Sequence, residues 1–419
     1  MTKKRIAIIG SGISGLTCGY HLHKEFDIKV YEAGNYVGGH TNTLTVDDPD
    51  GPLNIDTGFI VFNDWTYPNF IKMLEETGVE SQKSDMSFSV KCEETGLEYN
   101  GTDTNSLFAQ RLNLISPKFW KMILDILRFN KTGLEWLENA AEDDNTTLGQ
   151  FLDRGNFSYM FRKYYGFPIT AAIWSAGEED VRKFPLRFFM NFFKNHGMLS
   201  VNERPQWRVI KNGSKSYIPA FTKGWENKIH TNTPVQMIKR KSDKVFIKSS
   251  DNLEEFDGIV FACHSDQALR ILSEPTQEEN EILKAIPYQE NEAVLHTDEN
   301  ILPKKKIAWA AWNYHILKGK SDTAALTYNM NILQSLKTSQ TYNVTLNYTR
   351  AIDPDKIIRK IKYMHPRFSL EGIRAQKRHS DISGHNNTFY CGAYWRNGFH
   401  EDGVVSALSA VKQVKELYL

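Results

Sequence analysis

The fold is decided by the stretch Arg5-Ile-Ala-Ile-Ile-Gly10-Ser11-Gly12-Ile13-Ser14-Gly15. The four residues after Arg5 are apolar and predict a strand that is buried on both faces. The glycine pattern G-x-G-x-x-G comes next, and residues 13–24 can form a helix. Ile28-Lys-Val-Tyr-Glu32 then predicts a second strand, so the chain opens with a strand, helix, strand unit of about 30 residues.

Each glycine of this pattern has its own task in binding a dinucleotide. Gly10 permits a tight turn, Gly12 lets the backbone approach a pyrophosphate, and Gly15 lets the helix pack closely on the strand. The helix N-terminus points its free amides at the phosphates. Glu32 lies 20 residues beyond Gly12, where a carboxylate can accept hydrogen bonds from a ribose hydroxyl. The predicted cofactor contacts in this segment are Gly10, Ser11, Gly12, Ile13, Ser14, Gly15 and Glu32.

The residues from Glu32 onward carry a resemblance that narrows the cofactor to FAD. Glu32-Ala33-Gly34-Asn35-Tyr36-Val37-Gly38-Gly39-His40-Thr41 resembles the E-A-x-x-x-x-G-G-R-x pattern of the flavin-containing amine oxidase superfamily, which includes phytoene desaturases and protoporphyrinogen oxidases. Asp56-Thr57-Gly58 resembles its D-x-G turn, which brings backbone amides to the cofactor. The resemblance implies FAD contacts at Ala33, Gly39, His40, Thr41, Asp56, Thr57 and Gly58.

His40 departs from the pattern of the superfamily, which usually has an arginine near the pyrophosphate. A neutral imidazole lacks the fixed positive charge of that arginine. A contact between His40 and the cofactor therefore stays open beside a second interpretation, in which His40 only caps the turn.

The middle of the chain resembles the same superfamily. Residues 207–217 resemble the glycine turn and helix by which such chains re-enter the FAD domain. Two paired strands are predicted at residues 233–238 and 244–248, and a further strand at residues 256–262. The resemblance implies that the backbone of Val235 contacts adenine.

The C-terminal segment resembles the part of these proteins that closes over the flavin. A strand is expected at residues 389–391, and a helix is expected to begin near Gly403. Such a helix would direct amides and its positive dipole end at the pyrimidine ring of the flavin. The resemblance implies contacts at Gly392, Gly403 and Val404, but Ala393 replaces the acid of the Gly-Glu pair found in the superfamily.

We expect an α/β chain in which a Rossmann-type FAD-binding domain is interleaved with an α+β substrate domain. At 419 residues the chain exceeds the usual size of one compact core. The FAD-binding domain is assigned to residues 1–75, 205–265 and 370–419. The substrate domain is assigned to residues 76–204 and 266–369, where the helical periodicity of residues 119–129 is strong.

Composition excludes several other classes of protein. The formal net charge is +1, so we expect no nucleic-acid partner. Four cysteines stand far apart, without a Cys-x-x-Cys pair, and the histidines lack metal-ligand spacing, so neither a disulfide framework nor a metal site is predicted. Glycines interrupt the first apolar run, which argues against a signal peptide. We expect a cytoplasmic protein, and peripheral contact with a membrane stays open.

The substrate is indicated only indirectly. Residues 212–217 and 398–403 resemble a subgroup of predicted NAD/FAD-binding proteins related to the flavin domain of plant cyclopropane fatty acid synthases, which implies a lipid by association. Residues 184–193 are rich in phenylalanine and predict either a core helix or an apolar tunnel.

Three functions follow from this interpretation. The first is FAD-dependent dehydrogenation, or related hydride transfer, on a hydrophobic fatty acyl or isoprenoid substrate. The second is amine oxidation, and the third is a non-catalytic flavoprotein that serves as a partner subunit. FAD is expected to be non-covalent, because no cysteine occupies a recognisable attachment motif. No catalytic side chain, electron acceptor or oligomeric state is predicted.

Overall fold

The structure is a computed structural model that describes residues 3–200, 203–241, 243–250, 252–319 and 323–419. Its first sheet is parallel and contains five strands in the spatial order Ile229–His230, Asp27–Tyr31, Arg5–Ile9, Gly258–Phe261 and Thr388–Tyr390. Ile6 and Ile8 of the middle strand face one apolar cluster, while Ala7 and Ile9 face another. A strand covered on both sides needs such a continuous apolar sequence. The expected Rossmann-type α/β fold is confirmed.

The first helix, Ile13–Leu22, packs against the last helix, His400–Tyr418. The first helix packs tightly on the last at Gly403, where an added Cβ would lie 2.8 Å from Cγ2 of Ile13. The hydroxyl of Ser14 donates to the carbonyl of Gly403 at 3.0 Å. Gly403 is therefore required by helix packing.

The last helix begins at His400, so the prediction of a start near Gly403 is wrong by three residues. Gly398 adopts a φ of 93°, which turns the chain just before the helix. The carboxylate of Asp402 then accepts a hydrogen bond from the backbone N–H of Phe399 at 2.9 Å. This side-chain cap starts the helix one turn earlier than the glycine pattern indicated.

The second large sheet has seven strands and is mixed. Its spatial order is Ile357–Pro366, Tyr288–His296, Asn343–Leu346, Ala325–Asn329, Trp312–Ile316, Phe88–Cys92 and Glu98–Asn100. Only the pairing of Trp312–Ile316 with Phe88–Cys92 is parallel among these described strands. A chain of hydrogen bonds crosses its buried interior and joins His296, Thr345, Thr327 and His315.

The remaining strands form three smaller sheets. They are Val235–Lys241 with Lys244–Ser249 and Asn252–Phe256, Thr43–Val46 with Leu53–Asp56, and Phe62–Asn63 with Trp207–Ile210 and Ser81–Lys83. The expected pair of strands after residue 233 is thus present.

The other α-helices are mostly short. They are Pro68–Thr77, Thr104–Leu107, Pro117–Asn139, Leu148–Arg154, Tyr159–Phe161, Phe167–Trp174, Glu178–Arg182, Leu186–Asn195, Tyr217–Thr222, Ser265–Ile271, Gln277–Lys284, Met330–Leu333 and Leu370–Lys377. The predicted helical stretch at residues 119–129 lies inside the long helix Pro117–Asn139.

Candidate functional site

Two glycine-rich loops meet at the carboxyl edge of the parallel sheet. The N–H of Gly38 donates to the carbonyl of Ser11 at 3.0 Å, and an added Cβ on Gly39 would lie 3.3 Å from Cα of Gly12. A Cβ on Gly15 would lie 1.9 Å from the carbonyl oxygen of Gly10, so Gly15 serves the contact of helix and strand. In contrast, a Cβ added to Gly12 meets no described atom within 4 Å. Open space therefore faces the loop where the pyrophosphate contact was predicted.

Glu32 joins the two loops at the end of its strand. Its Oε2 accepts hydrogen bonds from the N–H of Ser11 at 3.0 Å and from the Ser11 hydroxyl at 2.6 Å. Its Oε1 accepts only the N–H of Gly34, at 2.7 Å, among the described donors. Since a carboxylate oxygen has two lone pairs, Oε1 retains capacity for a further donor such as a ribose hydroxyl.

The segment before Val235 runs beside Glu32. The N–H of Glu32 donates to the carbonyl of His230 at 2.9 Å, and the N–H of Thr233 donates to the carbonyl of Glu32 at 2.8 Å. Ala33 follows Glu32 and is exposed. The structure thus brings Val235 near the loop of Glu32 and Ala33, although the two segments lie about 200 residues apart in sequence.

His40 lies in a cluster of aromatic and imidazole rings. The ring centroids of Tyr363 and His365 lie 5.0 and 5.4 Å from that of His40, and the ring of His264 lies 6.4 Å away. Burial lowers the pKa of His40 to about 4. Burial, and the neighbouring imidazoles, lower the pKa of both His264 and His365 to about 3. These three histidines are therefore neutral near pH 7.

Some buried polar atoms lack a described hydrogen-bond partner, and one of them belongs to this ring cluster. They include Nε2 of His40, the hydroxyl of Tyr394 and Nε1 of Trp395. Buried polar atoms normally form hydrogen bonds, so such atoms indicate a missing ligand or water. The open side of Gly12 and the partnerless Nε2 of His40 are each compatible with a bound cofactor.

The carboxylate of Asp56 is held by protein groups, and its Oδ2 accepts a hydrogen bond from Nε2 of Gln334 at 3.3 Å. It accepts hydrogen bonds from the hydroxyl of Thr43 at 2.6 Å and from the N–H and hydroxyl of Ser214 at 2.8 and 2.9 Å. Burial nevertheless raises its pKa to about 6. The hydroxyl of Thr57 meets that of Tyr363 at 2.8 Å. The side chain of Asp56 therefore holds the turn. The backbone of Gly58 packs on that of His40, where an added Cβ would lie 2.3 Å from the His40 carbonyl oxygen.

Thr41 meets the start of the last helix. Its hydroxyl shares hydrogen bonds with Tyr217 at 2.5 Å and with Nε2 of His400 at 3.1 Å. The imidazole of His400 stacks on Phe59 with ring centroids 3.4 Å apart, and burial holds its pKa well below the usual range. The positive end of the last helix therefore lies beside a predicted cofactor residue.

The cofactor residues predicted in the C-terminal segment lie in two places, at the carboxyl edge of the parallel sheet and in the protein interior. Gly392 follows the parallel strand Thr388–Tyr390, and its N–H donates to the hydroxyl of Ser406 at 3.1 Å. Gly403 and Val404 lie within the packed helices, and Val404 is fully buried in the apolar cluster. The structure therefore brings Gly392 to the same edge as Gly10 and Glu32, whereas Val404 contributes its side chain to the core.

A cavity of about 250 Å³ opens beside His365. Its aromatic walls are formed by Trp174, Phe184 and Phe368, and the exposed Lys183 and Arg367 stand among its charged lining residues. The cavity thus joins the surface to a member of the ring cluster.

The floor of this cavity is polar and ordered by hydrogen bonds. Nδ1 of His365 lies 3.2 Å from Nδ2 of Asn291 and 3.1 Å from the hydroxyl of Ser175. Asp180, the one acid among the described lining residues, accepts a hydrogen bond from Arg367 at 2.6 Å. A larger concavity of about 420 Å³ lies elsewhere, beside Glu292 and Tyr348, and none of the predicted cofactor contacts lines it.

The phenylalanine-rich segment is mainly core. Phe189, Phe192 and Phe193 of helix Leu186–Asn195 are buried in one apolar cluster. Phe184, just before the helix, is buried too but also lines the cavity. The core interpretation therefore holds for the helix. From the phenylalanine-rich segment, the cavity is lined by Phe184, which lies just before the helix.

Sequence reasoning missed several residues of the site. His264 had a usable signal, because it follows a parallel strand at the ligand-binding edge of the sheet. Tyr363 and His365 had none, since they belong to a strand of the other sheet. Among the described residues, no group of three or more His, Cys, Asp or Glu side chains could hold a metal ion.

In the described part of the chain, no helix has the length and apolar character needed to cross a bilayer.

Comparison with protein families matches residues 13–415 to the family described as flavin containing amine oxidoreductase. Three solved structures share the fold over 99% of both chains. Cyclohexylamine oxidase from Brevibacterium oxydans IH-35A has 15% identity and a TM-score of 0.68. A CLA-producing fatty acid isomerase from P. acnes has 15% identity and a TM-score of 0.70. Putrescine oxidase bound to putrescine has 13% identity and a TM-score of 0.70. A search of curated proteins finds no match.

Proposed function

The chain belongs to the flavin containing amine oxidoreductase family and is a flavin oxidoreductase; from this premise we propose that it dehydrogenates, or otherwise transfers hydride on, a hydrophobic substrate. The substrate is a molecule with a fatty acyl or isoprenoid chain. The observation that carries the proposal is the aromatic cavity with basic side chains that opens beside His365.

We propose that the flavin is FAD and that residues 1–75, 205–265 and 370–419 form the domain that holds it. FAD supplies two-electron chemistry when bound, while the protein orients substrate and excludes water. The open side of Gly12, the free capacity of Glu32 and the partnerless Nε2 of His40 support this cofactor. Val235 and Gly392 lie on the segments that border the same edge.

The cysteines support non-covalent binding. Cys263 follows the parallel strand Gly258–Phe261, next to the glycine loop, and burial raises its pKa to about 12. Only a thiolate is a good nucleophile, so this thiol is inert near pH 7. The other cysteines, Cys18, Cys92 and Cys391, are buried.

The charges of the cavity favour an anionic or neutral chain over an amine. An amine substrate gains from a free carboxylate, but Asp180 is already bound to Arg367. Trp174, Phe184 and Phe368 instead offer apolar contact. Lys183 is exposed and can attract an acyl carboxylate. Apolar walls with basic side chains suit a fatty acyl substrate.

The proposal is tested by anaerobic reduction of the bound flavin with two matched series, fatty acids and primary amines of increasing chain length. Each buried methylene contributes about 0.8 kcal/mol, so apparent affinity for the acids should rise about fourfold per methylene until the cavity is full. Reduction by short amines, with no response to any lipid, would instead assign amine oxidation. Retention of FAD with no reduction by either series would favour a non-catalytic partner subunit.

A further inference from the structure

Six large apolar side chains are exposed within the sixteen residues 112–127. The described part of the chain exposes thirteen large apolar side chains, so nearly half of them fall in this short segment. They come from the turn Arg111–Ile115 and the start of helix Pro117–Asn139. We call this surface the apolar face, and it consists of Leu112, Leu114, Ile115, Trp120, Leu124 and Leu127.

Core packing does not account for the apolar face. The same helix buries Phe119, Met122 and Phe129 in the large aromatic cluster of the interior. Trp120 and Leu127 lie seven residues apart, with Leu124 between them, so all three share the opposite side of the helix. The helix is thus apolar on its outward side as well as its inward side.

The apolar face is a fixed surface. Nε1 of Trp120 donates to the carbonyl of Leu114 at 2.8 Å, which ties the turn to the helix. Leu112 and Ile115 are each 79% exposed, so the turn presents its apolar side chains to solvent. Apolar patches of this kind on a folded protein mark contact with a partner or a membrane.

Basic side chains accompany the apolar face. Residues 111–131 contain five basic residues and one acid, Asp125. Asp125 is buried, and it pairs with Lys121 at 3.3 Å and with Arg128 at 2.9 Å. The exposed Lys118 has no acid beside it among the described ion pairs. Residues 111–131 thus carry a formal charge of +4, although the whole chain carries only +1. One of the five basic residues, Lys131, pairs with Glu135 at 3.9 Å.

We propose that the apolar face docks on a bilayer that contains anionic lipid. Apolar side chains insert at the boundary of head groups and acyl chains, while Lys and Arg pair with lipid phosphates. A second copy of the chain is a poorer occupant, because it would bring the same positive charges against one another. The inference stands independently of the substrate proposed above, since the apolar face shares no residue with the cavity.

The test is flotation of the full-length flavin-loaded protein with phosphatidylcholine vesicles, with and without phosphatidylglycerol. The protein should float with the anionic vesicles and release as salt is raised. Leu112→Glu with Ile115→Glu should weaken this binding by about tenfold or more, because two apolar insertions are lost. Lys118→Gln should weaken it by about fivefold.

The control is Leu253→Glu with Ile358→Glu, which changes two exposed apolar residues outside the face, 64% and 44% exposed. This variant should bind vesicles like the wild type, and all variants should keep their flavin and melting temperature. Absence of flotation by the wild type, or equal binding by the Leu112 and Ile115 variant, would overturn the proposal. So would a wild-type dimer in sedimentation velocity that the same variant dissociates, because a second copy would then cover the face.

Discussion

The carboxyl edge of the parallel sheet and the cavity beside His365 are built by different means. The edge depends on backbone, since Gly10, Gly12 and Gly15 shape its loop within six residues of sequence. The cavity depends on side chains that come from residues 174–184, 287–291 and 365–369. A cofactor used by a whole family can be held by backbone and a few fixed positions. Under the proposed function, substrate choice rests on side chains that the tertiary fold brings together.

The largest expected effect separates two roles of glycine at the edge. In Gly15→Ala the new Cβ would lie 1.9 Å from the carbonyl oxygen of Gly10, so helix and strand must separate. We expect a loss of about 3 kcal/mol or more in the free energy of unfolding, together with loss of FAD. In Gly12→Ala the new Cβ meets no described atom within 4 Å, so only FAD binding should fall.

The measurements are urea unfolding of the FAD-free proteins and titration of each with FAD. The Gly12→Ala protein should unfold like the wild type but bind FAD weakly, because its methyl group occupies the space open to the pyrophosphate. Wild-type affinity in this variant would show that the pyrophosphate does not approach Gly12.

The next effect concerns the carboxylate at the same edge. Glu32→Ala should weaken FAD binding by about 1.5–3 kcal/mol, since charge-assisted hydrogen bonds to the ribose are lost. The free-energy change is measured by titration with FAD. Asp47→Asn, which changes an exposed carboxylate, provides the control. Equal affinities of the Glu32 variant and wild type would remove Glu32 from the cofactor site.

The sequence predicted the parts of the fold that are determined by a short, continuous segment of the chain. The first strand, the glycine loop and Glu32 form one short segment. The apolar run of the strand and the spacing of the glycines and Glu32 were therefore sufficient to predict this part of the fold. The start of the last helix was missed because the cap of Asp402 on Phe399 overrides the position of Gly403. Helix signals from side-chain caps shift boundaries in this way.

The ring cluster illustrates what sequence could not predict. His365 reaches the site because strand Ile357–Pro366 pairs with Tyr288–His296 in the second sheet. No local pattern reports which strands pair across a long separation. The apolar face had the opposite difficulty, since the periodicity of residues 119–129 predicted a helix but not which of its two apolar sides faces solvent.

A smaller effect is expected at the cavity, and this prediction depends on the proposed function. Phe368→Ala removes one aromatic wall, so KM for a fatty acyl substrate should rise about tenfold, with kcat retained. Affinity for FAD should not change, because Phe368 lines the cavity and not the carboxyl edge of the parallel sheet. Steady-state kinetics and FAD titration measure the two quantities. A parallel loss of FAD affinity would mean that edge and cavity do not act separately.

The smallest expected effect is on the pH dependence of stability, and it comes from a histidine buried in the second sheet. Burial lowers the pKa of His315 from 6.5 to about 3, and its Nε2 is hydrogen-bonded to the hydroxyl of Thr327 at 2.8 Å. The unfolded chain binds a proton near pH 6.5 while the folded protein does not, so acidification favours unfolding. Lowering the pH from about 7 to about 6 should therefore reduce the free energy of unfolding by about 0.7 kcal/mol through this histidine.

His315→Gln keeps a hydrogen-bonding side chain and removes this proton uptake. Urea unfolding at the two pH values should therefore show a smaller loss of stability on acidification in the variant than in the wild type. Buried Asp56 and Asp402, whose pKa values are each raised to about 6, act in the opposite direction between pH 3.8 and 6. They are present in both proteins, so they cancel in the difference. Equal pH slopes would mean that His315 takes up a proton over the same pH range in the folded and unfolded protein, so that burial does not lower its pKa.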